Sequence, residues 1–399
     1  MLGELAQPKN WKTDPVSELE DAVKKITGAR FAICMPQARV GIYLALRAAI
    51  EPGQRVILSP YTIHDVVNVV ICAGGVPIFA DIERKTCNPD PQIMKELIDE
   101  NTGAVLVTHL HGFAMELDEL VHACEDNGVP LIEDAAQSFG TSRNGSPVGT
   151  FGKVGIYSFG MYKNVSSFYG GMILTNDKPL YTRMKNELQT FPVMEQWRCI
   201  AKMFQALATD IATWPPVFSP IVSRIFRYGY LHDIEFLNKR VRIEDNPQKM
   251  TDVPEYYLRR MSPLFAKVAL KMLNDVQADN KARIHFARMY HDGLHDIAEL
   301  ICPPFLDDGS HTYSYYPIQY RRRDELVAHL MCAGCDLAAQ HYKNNAALPC
   351  FAEYKRSCPN TAAAATQLIL LPTYPRYSEH DVSRNICAIR EFFSEKTRK

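Results

Sequence analysis

Two neighbouring stretches decide the fold of this sequence, VPLIEDAAQSFG at 129–140 and VGIYSFGMYKN at 154–164. Each begins with a short apolar run of strand length and continues into polar residues, which include Asp134 in the first and Lys163 in the second. Short β-rich runs without polar alternation are typical of parallel strands covered on both faces. Ligands bind such sheets where the strands end at their carboxyl side. We therefore expect Asp134 and Lys163 to face one cleft.

The same alternation runs through the first 180 residues. Further strand-like runs lie at 55–60, 76–82 and 104–109, and helical patterns such as HDVVNVVICAGG and ELDELVHACEDNG separate them. Strands that alternate with helices predict an α/β domain with a mostly parallel, doubly wound sheet. Ahead of the first run, Ser17 and Glu20 have the spacing of a capping box and Gly28 lies just past the helical pattern, which predicts a helix that begins at Ser17 and ends before Gly28.

The chain is predicted to have three parts: a large domain (1–180), a helical, apolar insertion (181–255) and a C-terminal part (256–399). The C-terminal part reads as one long helix over 262–293 followed by a small α+β domain. The insertion carries a proline-rich turn and an apolar helical stripe at positions 200, 203, 204, 207, 208 and 211. Three roles stay open for it: a helical excursion packed on the domain, a dimer contact, or an interfacial membrane anchor.

Composition excludes several classes of protein. The 399 residues carry 44 Lys+Arg against 45 Asp+Glu, a formal charge of −1, whereas nucleic-acid binding needs a clear basic excess. No stretch approaches the roughly 18–20 apolar residues of a membrane span, and the first residues lack the layout of a secretory signal, so we expect a cytoplasmic protein. The eleven cysteines, including the pair Cys332 and Cys335, are interpreted as reduced structural thiols rather than a metal site.

Residue types alone leave two interpretations of Asp134 and Lys163. One is an ordinary salt bridge at the edge of the sheet, since a buried charge is costly unless it is paired. The other is a cofactor site in which Lys163 forms an imine and Asp134 pairs with a pyridinium nitrogen.

The order of the motifs resembles the DegT-type sugar aminotransferases, a family that uses pyridoxal 5′-phosphate (PLP). The likeness rests on EDAAQ at 133–137, the spaced glycines ahead of YSF, and Lys163-Asn164 followed by Gly170-Gly171. It extends upstream through PGQRVILSPYT and downstream through RRMSPLFAKVALKML, the HY at 341–342 and ILLPTYPRYSEHDV, nearly the whole chain outside about 190–255. The resemblance implies a fold-type I PLP-dependent transferase with a mostly parallel, doubly wound large domain and a smaller α+β C-terminal domain.

The resemblance also implies roles for four residues. Lys163 would hold the cofactor as an imine and later carry the proton shift, and Asp134 would keep the ring nitrogen protonated. Gln137 would lie against the ring near its hydroxyl, and Ser158 would donate to the phosphate. Two of these residues also have a purely structural interpretation: Gln137 as a polar residue at the start of a helix, and Ser158 as a hydroxyl at the end of a strand.

The cofactor's binding pocket departs from the family pattern at two places. The Ser-Gly-Thr of the phosphate loop corresponds to Gln37-Ala38-Arg39. We expect the N–H groups at the start of the helix from Ala38 to meet the phosphate, with a charge-assisted bond from Arg39. The aromatic residue that stacks on the ring corresponds to Ile63, and the neighbouring His64 is expected to stack instead or to serve only as a helix cap.

The rim of the cleft also departs from the pattern. The asparagine that the neighbouring subunit lends in this family falls on Leu258, and a Gly-Glu pair has become Phe168-Tyr169. The centre of the site is therefore kept while its phosphate clamp and substrate-facing rim are altered.

The functional hypothesis is an aminotransferase that moves an amino group from an amino acid, glutamate by preference, to a nucleotide-linked keto-sugar, in the synthesis of cell-envelope polysaccharide. Alternatives are a lipid-linked or hydrophobic acceptor and a non-catalytic or regulatory relative with weakened PLP binding. A dehydratase ranks last, because those enzymes typically replace the lysine at position 163 by histidine. The resemblance implies a homodimer that binds small-molecule substrates.

Overall fold

The computed structural model describes residues 13–214, 217, 221–232, 234, 247–339 and 342–397. The first residues of the chain, much of 215–246 and His341 of the HY motif lie outside these ranges. A seven-stranded sheet forms the centre of the large domain, in the order β1-β9-β8-β5-β4-β2-β3. Its strands are β1 Phe31–Met35, β2 Arg55–Leu58, β3 Val76–Phe79, β4 Thr102–Thr108, β5 Leu131–Asp134, β8 Val154–Ser158 and β9 Gly171–Thr175.

The predicted α/β class is confirmed. The pairs β2–β3, β2–β4, β4–β5 and β5–β8 are all parallel. The prediction missed β1 and β9, which pair antiparallel with each other, and β9 also pairs antiparallel with β8. Both carry apolar runs, FAICM and MILT, and each is followed within three residues by a helix, 38–49 after β1 and 178–189 after β9. The insertion between β5 and β8 holds the short hairpin β6 Ser142–Arg143 and β7 Ser146–Pro147.

Helices cover both faces of this sheet. Alternate residues of one strand point to different layers: Ile33 packs with the helix that follows β1, whereas Cys34 packs with the helix that precedes it. A strand with both sides buried explains the lack of polar alternation. The helices of this domain are α1 Pro15–Thr27, α2 Ala38–Ala49, α3 His64–Cys72, α4 Pro91–Glu96, α5 Asp118–Asp126 and α6 Lys178–Gln189.

The start of α1 differs from the prediction. Its N-cap is Asp14, whose carboxylate accepts hydrogen bonds from the Val16 N–H at 3.2 Å and the Ser17 hydroxyl at 3.0 Å. Pro15 occupies the first helical position, where its missing N–H costs nothing. The predicted capping box at Ser17 is therefore wrong, because a stronger start signal lies three residues earlier. The end of the helix at Gly28, in the left-handed conformation, agrees with the sequence.

The long helix predicted over 262–293 is two helices, α9 Pro263–Met272 and α10 Val276–Leu294. The break lets the two helices pack against two different hydrophobic cores. Phe265 of α9 lies in the core that includes α1, whereas Tyr290 of α10 lies in the core of the small domain. One straight helix would not serve both cores.

The small domain has the predicted α+β composition. Its antiparallel sheet runs in the order β10-β12-β11, and α10 packs against the last helix. Its further elements are β10 Tyr316–Gln319, α11 Arg323–Cys332, β11 Ala338–Ala339, α12 Pro359–Gln367, β12 Leu368–Leu371 and α13 Glu379–Thr397.

The apolar segment between the domains forms two described helices, α7 Gln196–Ala212 and α8 Ser223–Leu231. Within the described parts of the chain, no helix is long and apolar enough to cross a bilayer. All eleven cysteines are free.

A buried carboxylate ties together the elements that carry the site. Glu133 of β5 accepts hydrogen bonds from the Gly149 N–H at 2.8 Å and the Gly152 N–H at 2.7 Å. His109 Nε2 lies 3.1 Å from the same carboxylate and donates to it, because His109 Nδ1 accepts from the Met115 N–H. Glu133 therefore joins the end of β4, the end of β5 and the loop before β8. In the sequence motif, the glutamate is therefore the acceptor and the spaced glycines are the donors of the same hydrogen bonds.

We predict that Glu133→Gln lowers the free energy of unfolding by about 2–3 kcal/mol, because the amide NH₂ of glutamine would face a buried donor. Urea denaturation followed by circular dichroism measures it. Glu125→Gln, on the exposed side of α5, is the control and should change stability by less than about 0.5 kcal/mol. Equal effects of the two substitutions would contradict this role of Glu133.

Candidate active site

Asp134 is the last residue of β5 and is almost completely buried. Its Oδ1 accepts one hydrogen bond, from the Ala136 N–H at 3.1 Å. Burial raises the pKa of this carboxyl, and the hydrogen bond from the Ala136 N–H and the charge of Lys163 oppose that rise. Desolvation is the larger effect, so Asp134 is an acid kept in a costly environment.

Lys163 lies in the turn after β8, where its backbone N–H donates to the Gly160 carbonyl at 3.1 Å. Burial lowers the pKa of its amine, and so does the positive charge of Arg39, whereas Asp134 raises it. An amine with a lowered pKa is deprotonated more often at neutral pH, and only the neutral form is nucleophilic.

The amine and the carboxylate interact electrostatically but do not touch. Both residues are described by the structure, and they form no ion pair within 4.0 Å. Within the described residues, Lys163 Nζ has no hydrogen-bond partner either. The sheet-edge salt bridge, one of the two interpretations from the sequence, is therefore not formed. A gap bounded by an amine on one side and an acid on the other is what a protonated pyridine ring with an aldehyde substituent requires.

The turn that carries Lys163 is held by amide side chains that the sequence analysis did not identify. Asn164 Nδ2 donates to the Phe139 carbonyl at 3.3 Å and to Asn280 Oδ1 of α10 at 3.1 Å. Ser314 Oγ donates to Asn164 Oδ1 at 3.3 Å. The position of Asn164 directly after the lysine was a usable signal, whereas two of its partners, Asn280 and Ser314, are more than 100 residues away in sequence.

Both polar atoms of the Gln137 side-chain amide form hydrogen bonds. Its Oε1 accepts from the His111 N–H at 3.0 Å, and its Nε2 donates to the Tyr342 hydroxyl at 2.5 Å. Its backbone carbonyl accepts from Ser314 Oγ at 2.6 Å. Gln137 therefore connects the large domain to the small one, and it is more than a polar residue at a helix start.

Ser158 and Ala38 are brought together by Gly171. Ser158 ends β8 and pairs with Gly171 in the sheet. A Cβ added to Gly171 would lie 2.7 Å from the Tyr157 carbonyl and 3.2 Å from the Ala38 nitrogen, so only glycine lets the strand and the helix start approach this closely. Gln37, the N-cap of α2, supplies no side-chain hydrogen bond to the first turn. The end of β8, which carries Ser158, and the positive end of α2 therefore lie close together.

Arg39 is engaged by protein groups. Its Nη1 donates to the Asp65 carboxylate and to the Tyr257 hydroxyl at 2.8 Å, and its guanidinium lies 5.1 Å from the centre of the Tyr257 ring. Phosphate was the partner predicted for Arg39 from the sequence. The carboxylate of Asp65 and the hydroxyl of Tyr257 were not predicted. His64 begins α3 beside this cluster, with Nε2 at 3.5 Å from Asp65 Oδ1.

The altered rim is apolar. Phe168 adopts φ +69°, a left-handed backbone that disfavours side chains, at the position where the family pattern has glycine. Its ring packs edge-on against Phe265 at 6.3 Å. Leu258, at the position of the family's asparagine, packs against the core of the large domain. Packing therefore stands in place of a glycine at Phe168 and in place of a polar side chain at Leu258.

No group of three or more His, Cys, Asp or Glu side chains able to hold a metal ion occurs among the residues that the structure describes.

We predict that Asp134→Asn leaves the free energy of unfolding of the cofactor-free protein unchanged or raises it by about 1 kcal/mol, because it removes a desolvated charge. The pKa of Asp134 is raised from 3.8, so the folded state holds the proton to a higher pH than the unfolded state does. Wild-type stability therefore falls relative to the variant as pH rises above 3.8. Denaturation curves at several pH values measure this difference.

Asp81→Asn is the matched control. Asp81 is also buried, but its carboxylate accepts from four donors: the N–H groups of Ile82, Asn360 and Thr361 and the Thr361 hydroxyl. Asp81→Asn should therefore lower the free energy of unfolding by about 2–3 kcal/mol. A loss of the same size for Asp134→Asn would mean that Asp134 is structural.

Comparison with known proteins agrees with this site. The model of the DegT/DnrJ/EryC1/StrS aminotransferase family matches residues 3–203 and 241–390. The spore coat polysaccharide biosynthesis protein SpsC of Bacillus subtilis (strain 168) is 25% identical over 391 residues, 95% of this chain and 90% of that protein. The UDP-4-amino-4-deoxy-L-arabinose–oxoglutarate aminotransferase of Shewanella sediminis (strain HAW-EB3) is 26% identical over 402 residues, 96% of this chain and 92% of that protein.

Solved structures of aminotransferases share the fold. Helicobacter pylori PseC, an aminotransferase involved in the biosynthesis of pseudoaminic acid, superposes with a TM-score of 0.77 at 16% identity and covers 99% of this chain and 95% of its own. The sugar aminotransferase CalS13 from Micromonospora echinospora gives 0.74 at 22% identity, with 95% and 92% covered. The predicted fold-type I architecture is confirmed. With its fold, its motifs and both matched ranges in agreement, the chain belongs to the DegT/DnrJ/EryC1/StrS aminotransferase family.

Proposed function

We propose that the protein uses PLP to transfer an amino group from an amino acid, glutamate by preference, to the keto group of a nucleotide-linked sugar. The observation that carries the proposal is that the amine of Lys163 has no hydrogen-bond partner among the described residues and lies near the buried carboxylate of Asp134 without pairing with it. A salt bridge would explain two buried charges without a ligand, and that salt bridge is not formed.

The residues present fit PLP. The cofactor, when bound, supplies an electron sink for the carbon that loses a proton. Asp134 would accept the hydrogen bond of a protonated ring nitrogen, which accounts for a carboxylate kept in an apolar position. Lys163 would bind the aldehyde carbon and afterwards move the proton, tasks for which its lowered pKa suits it.

The phosphate and the ring hydroxyl also have partners. Ser158 would donate its hydroxyl to the phosphate, together with the free N–H groups at the start of α2 from Ala38. Arg39 keeps further N–H donors besides the Nη1 that binds Asp65 and Tyr257, and its charge would reach the same anion. Gln137 would lie near the ring hydroxyl, held in place by Tyr342, and His64 would cover the ring from the start of α3.

The acceptor is the second part of the proposal. The relative from Shewanella sediminis is named for a UDP-linked amino sugar and for oxoglutarate, the keto acid that corresponds to glutamate. The same donor and the same class of acceptor are the first candidates here, in polysaccharide synthesis. A hydrophobic or lipid-linked acceptor is the second candidate, favoured by Phe168 and Leu258 in place of smaller or polar groups at the rim.

A non-catalytic role is disfavoured, because a regulatory protein has no use for an amine and an acid held apart at a cost in stability. A homodimer remains a prediction from the resemblance, and a cytoplasmic location remains a prediction from the sequence features described above.

We predict that wild-type protein mixed with PLP develops a visible absorption band that borohydride abolishes, and that Lys163→Ala shows none. Transamination from glutamate should fall by at least about 10³-fold in this variant, because the amine serves both the covalent bond and the proton transfer. Lys153→Ala, an exposed lysine at the start of β8, is the control and should keep both properties.

The acceptor is tested by coupled assays with a panel of nucleotide-linked keto-sugars. A colourless wild type in excess PLP would overturn the enzyme assignment. A coloured protein that accepts no nucleotide-linked sugar would overturn only the acceptor and direct attention to lipid-linked sugars.

A further inference from the structure

The outward face of α7 is apolar and exposed along its whole length. Its large apolar residues recur every three or four positions, so they form one stripe. Trp197 is 64% exposed, Phe204 68% and Trp214, just after the helix, 59%. The other members of this outer stripe are Ile200, Leu207 and Ile211. A contiguous apolar patch of this kind marks a surface that binds something.

The opposite face of α7 already has its packing partners. Cys199 is buried in the core that includes α1 and α9, and Met203 packs against the same core. Lys202 Nζ lies 5.6 Å from the centre of the Tyr169 ring, at the rim of the cleft. The helix is thus anchored on one side, and the outer stripe is a second apolar surface that the fold does not use.

The shared body of the family does not include this surface. The family match stops at residue 203 and resumes at 241, so it omits most of the outer stripe and all of α8. An assembly built on the matched ranges would not need the outer stripe. The outer stripe therefore lies mostly outside what the family model describes.

The charge of the segment indicates the kind of partner. Residues 196–232 contain four basic side chains (Arg198, Lys202, Arg224, Arg227) and one acidic one (Asp210), a net of +3 in a chain whose total is −1. Arg198 is paired with Glu195 and Lys202 lies on the inner face of α7, so the remaining basic charge of the segment is that of Arg224 and Arg227 on α8. On α8, Ile225 and Tyr228 are exposed beside Arg224. Apolar and aromatic residues combined with basic ones are the pattern of helices that lie in an anionic membrane interface.

The pattern fits a second copy of the chain less well. Seams between paired helices use aliphatic residues flanked by oppositely charged side chains. Here Trp197, Phe204 and Trp214 occupy the outer stripe. Beside it, Ala201, Gln205 and Ala208 are exposed and uncharged, and the exposed Asp210 is already ion-paired with Arg376 of the same chain.

We propose that α7 and α8 bind an anionic lipid bilayer, with the outer stripe of α7 in the interface between headgroups and acyl chains. Since the inner face of α7 touches Tyr169 at the rim, the cleft would open about one helix diameter, roughly 10 Å, from the lipid surface. This docking does not depend on the reaction that the site performs.

Co-sedimentation of the full chain with lipid vesicles tests the proposal. We expect binding to vesicles that contain phosphatidylglycerol, weaker binding to pure phosphatidylcholine, and loss of binding in high salt. The double variant Trp197→Ser/Phe204→Ser should bind at least about tenfold more weakly, because it removes two of the largest interfacial anchors. Ile26→Ser, at an exposed apolar residue of α1 outside the outer stripe, is the control and should bind like wild type.

Circular dichroism and thermal unfolding check that each variant is folded. Failure of the wild type to bind, or equal binding by the double variant and wild type, would overturn the proposal. Light scattering after size exclusion identifies the competing occupant. If the double variant halves the mass of the particle and the wild type ignores vesicles, the outer stripe is an interface between two copies of the chain.

Discussion

The carboxylate of Asp134 and the amine of Lys163 are both taken out of water and are still kept apart. Two unlike charges in a medium of low dielectric attract each other strongly, so their separation has to be enforced by the backbone. Adjacent parallel strands do this, because β5 and β8 end side by side and each contributes one of the two groups. Burial raises the pKa of Asp134 and lowers the pKa of Lys163, and both are the directions that desolvation of a charged group produces. The site depends on this enforced gap, and the remaining contacts of the cleft serve to keep it open.

Two sets of hydrogen bonds hold the gap. Glu133, the neighbour of Asp134, locks the end of β5 to the loop before β8 through the glycine N–H groups. Asn164, the neighbour of Lys163, fastens its turn to α10 and to Ser314. Asp134 is thus preceded, and Lys163 followed, by a residue whose side chain holds the backbone in place. The small domain takes part as well, because Ser314 and Tyr342 both reach across to Gln137.

Local sequence predicted what depends on local physics. The strand ends at Asp134 and Ser158, the helix stop at Gly28 and the order of strands and helices all follow from apolar runs and turn residues. The antiparallel pair β1–β9 was missed, because its partners lie about 140 residues apart. The break between α9 and α10 was missed because helical periodicity continues through it, and only the two separate cores require it. Partners of Arg39 were beyond reach for the same reason: Asp65 and Tyr257 come from distant segments.

The central claim is that Lys163 is the residue that binds the aldehyde of PLP opposite Asp134. Reduction of the PLP-loaded protein with borohydride fixes the cofactor to the lysine that holds it, and peptide mass spectrometry then locates it. The account predicts a pyridoxyl group on the peptide that contains Lys163, in wild type and in much lower yield in Asp134→Ala. A pyridoxyl group on another lysine, or none on Lys163, would contradict it.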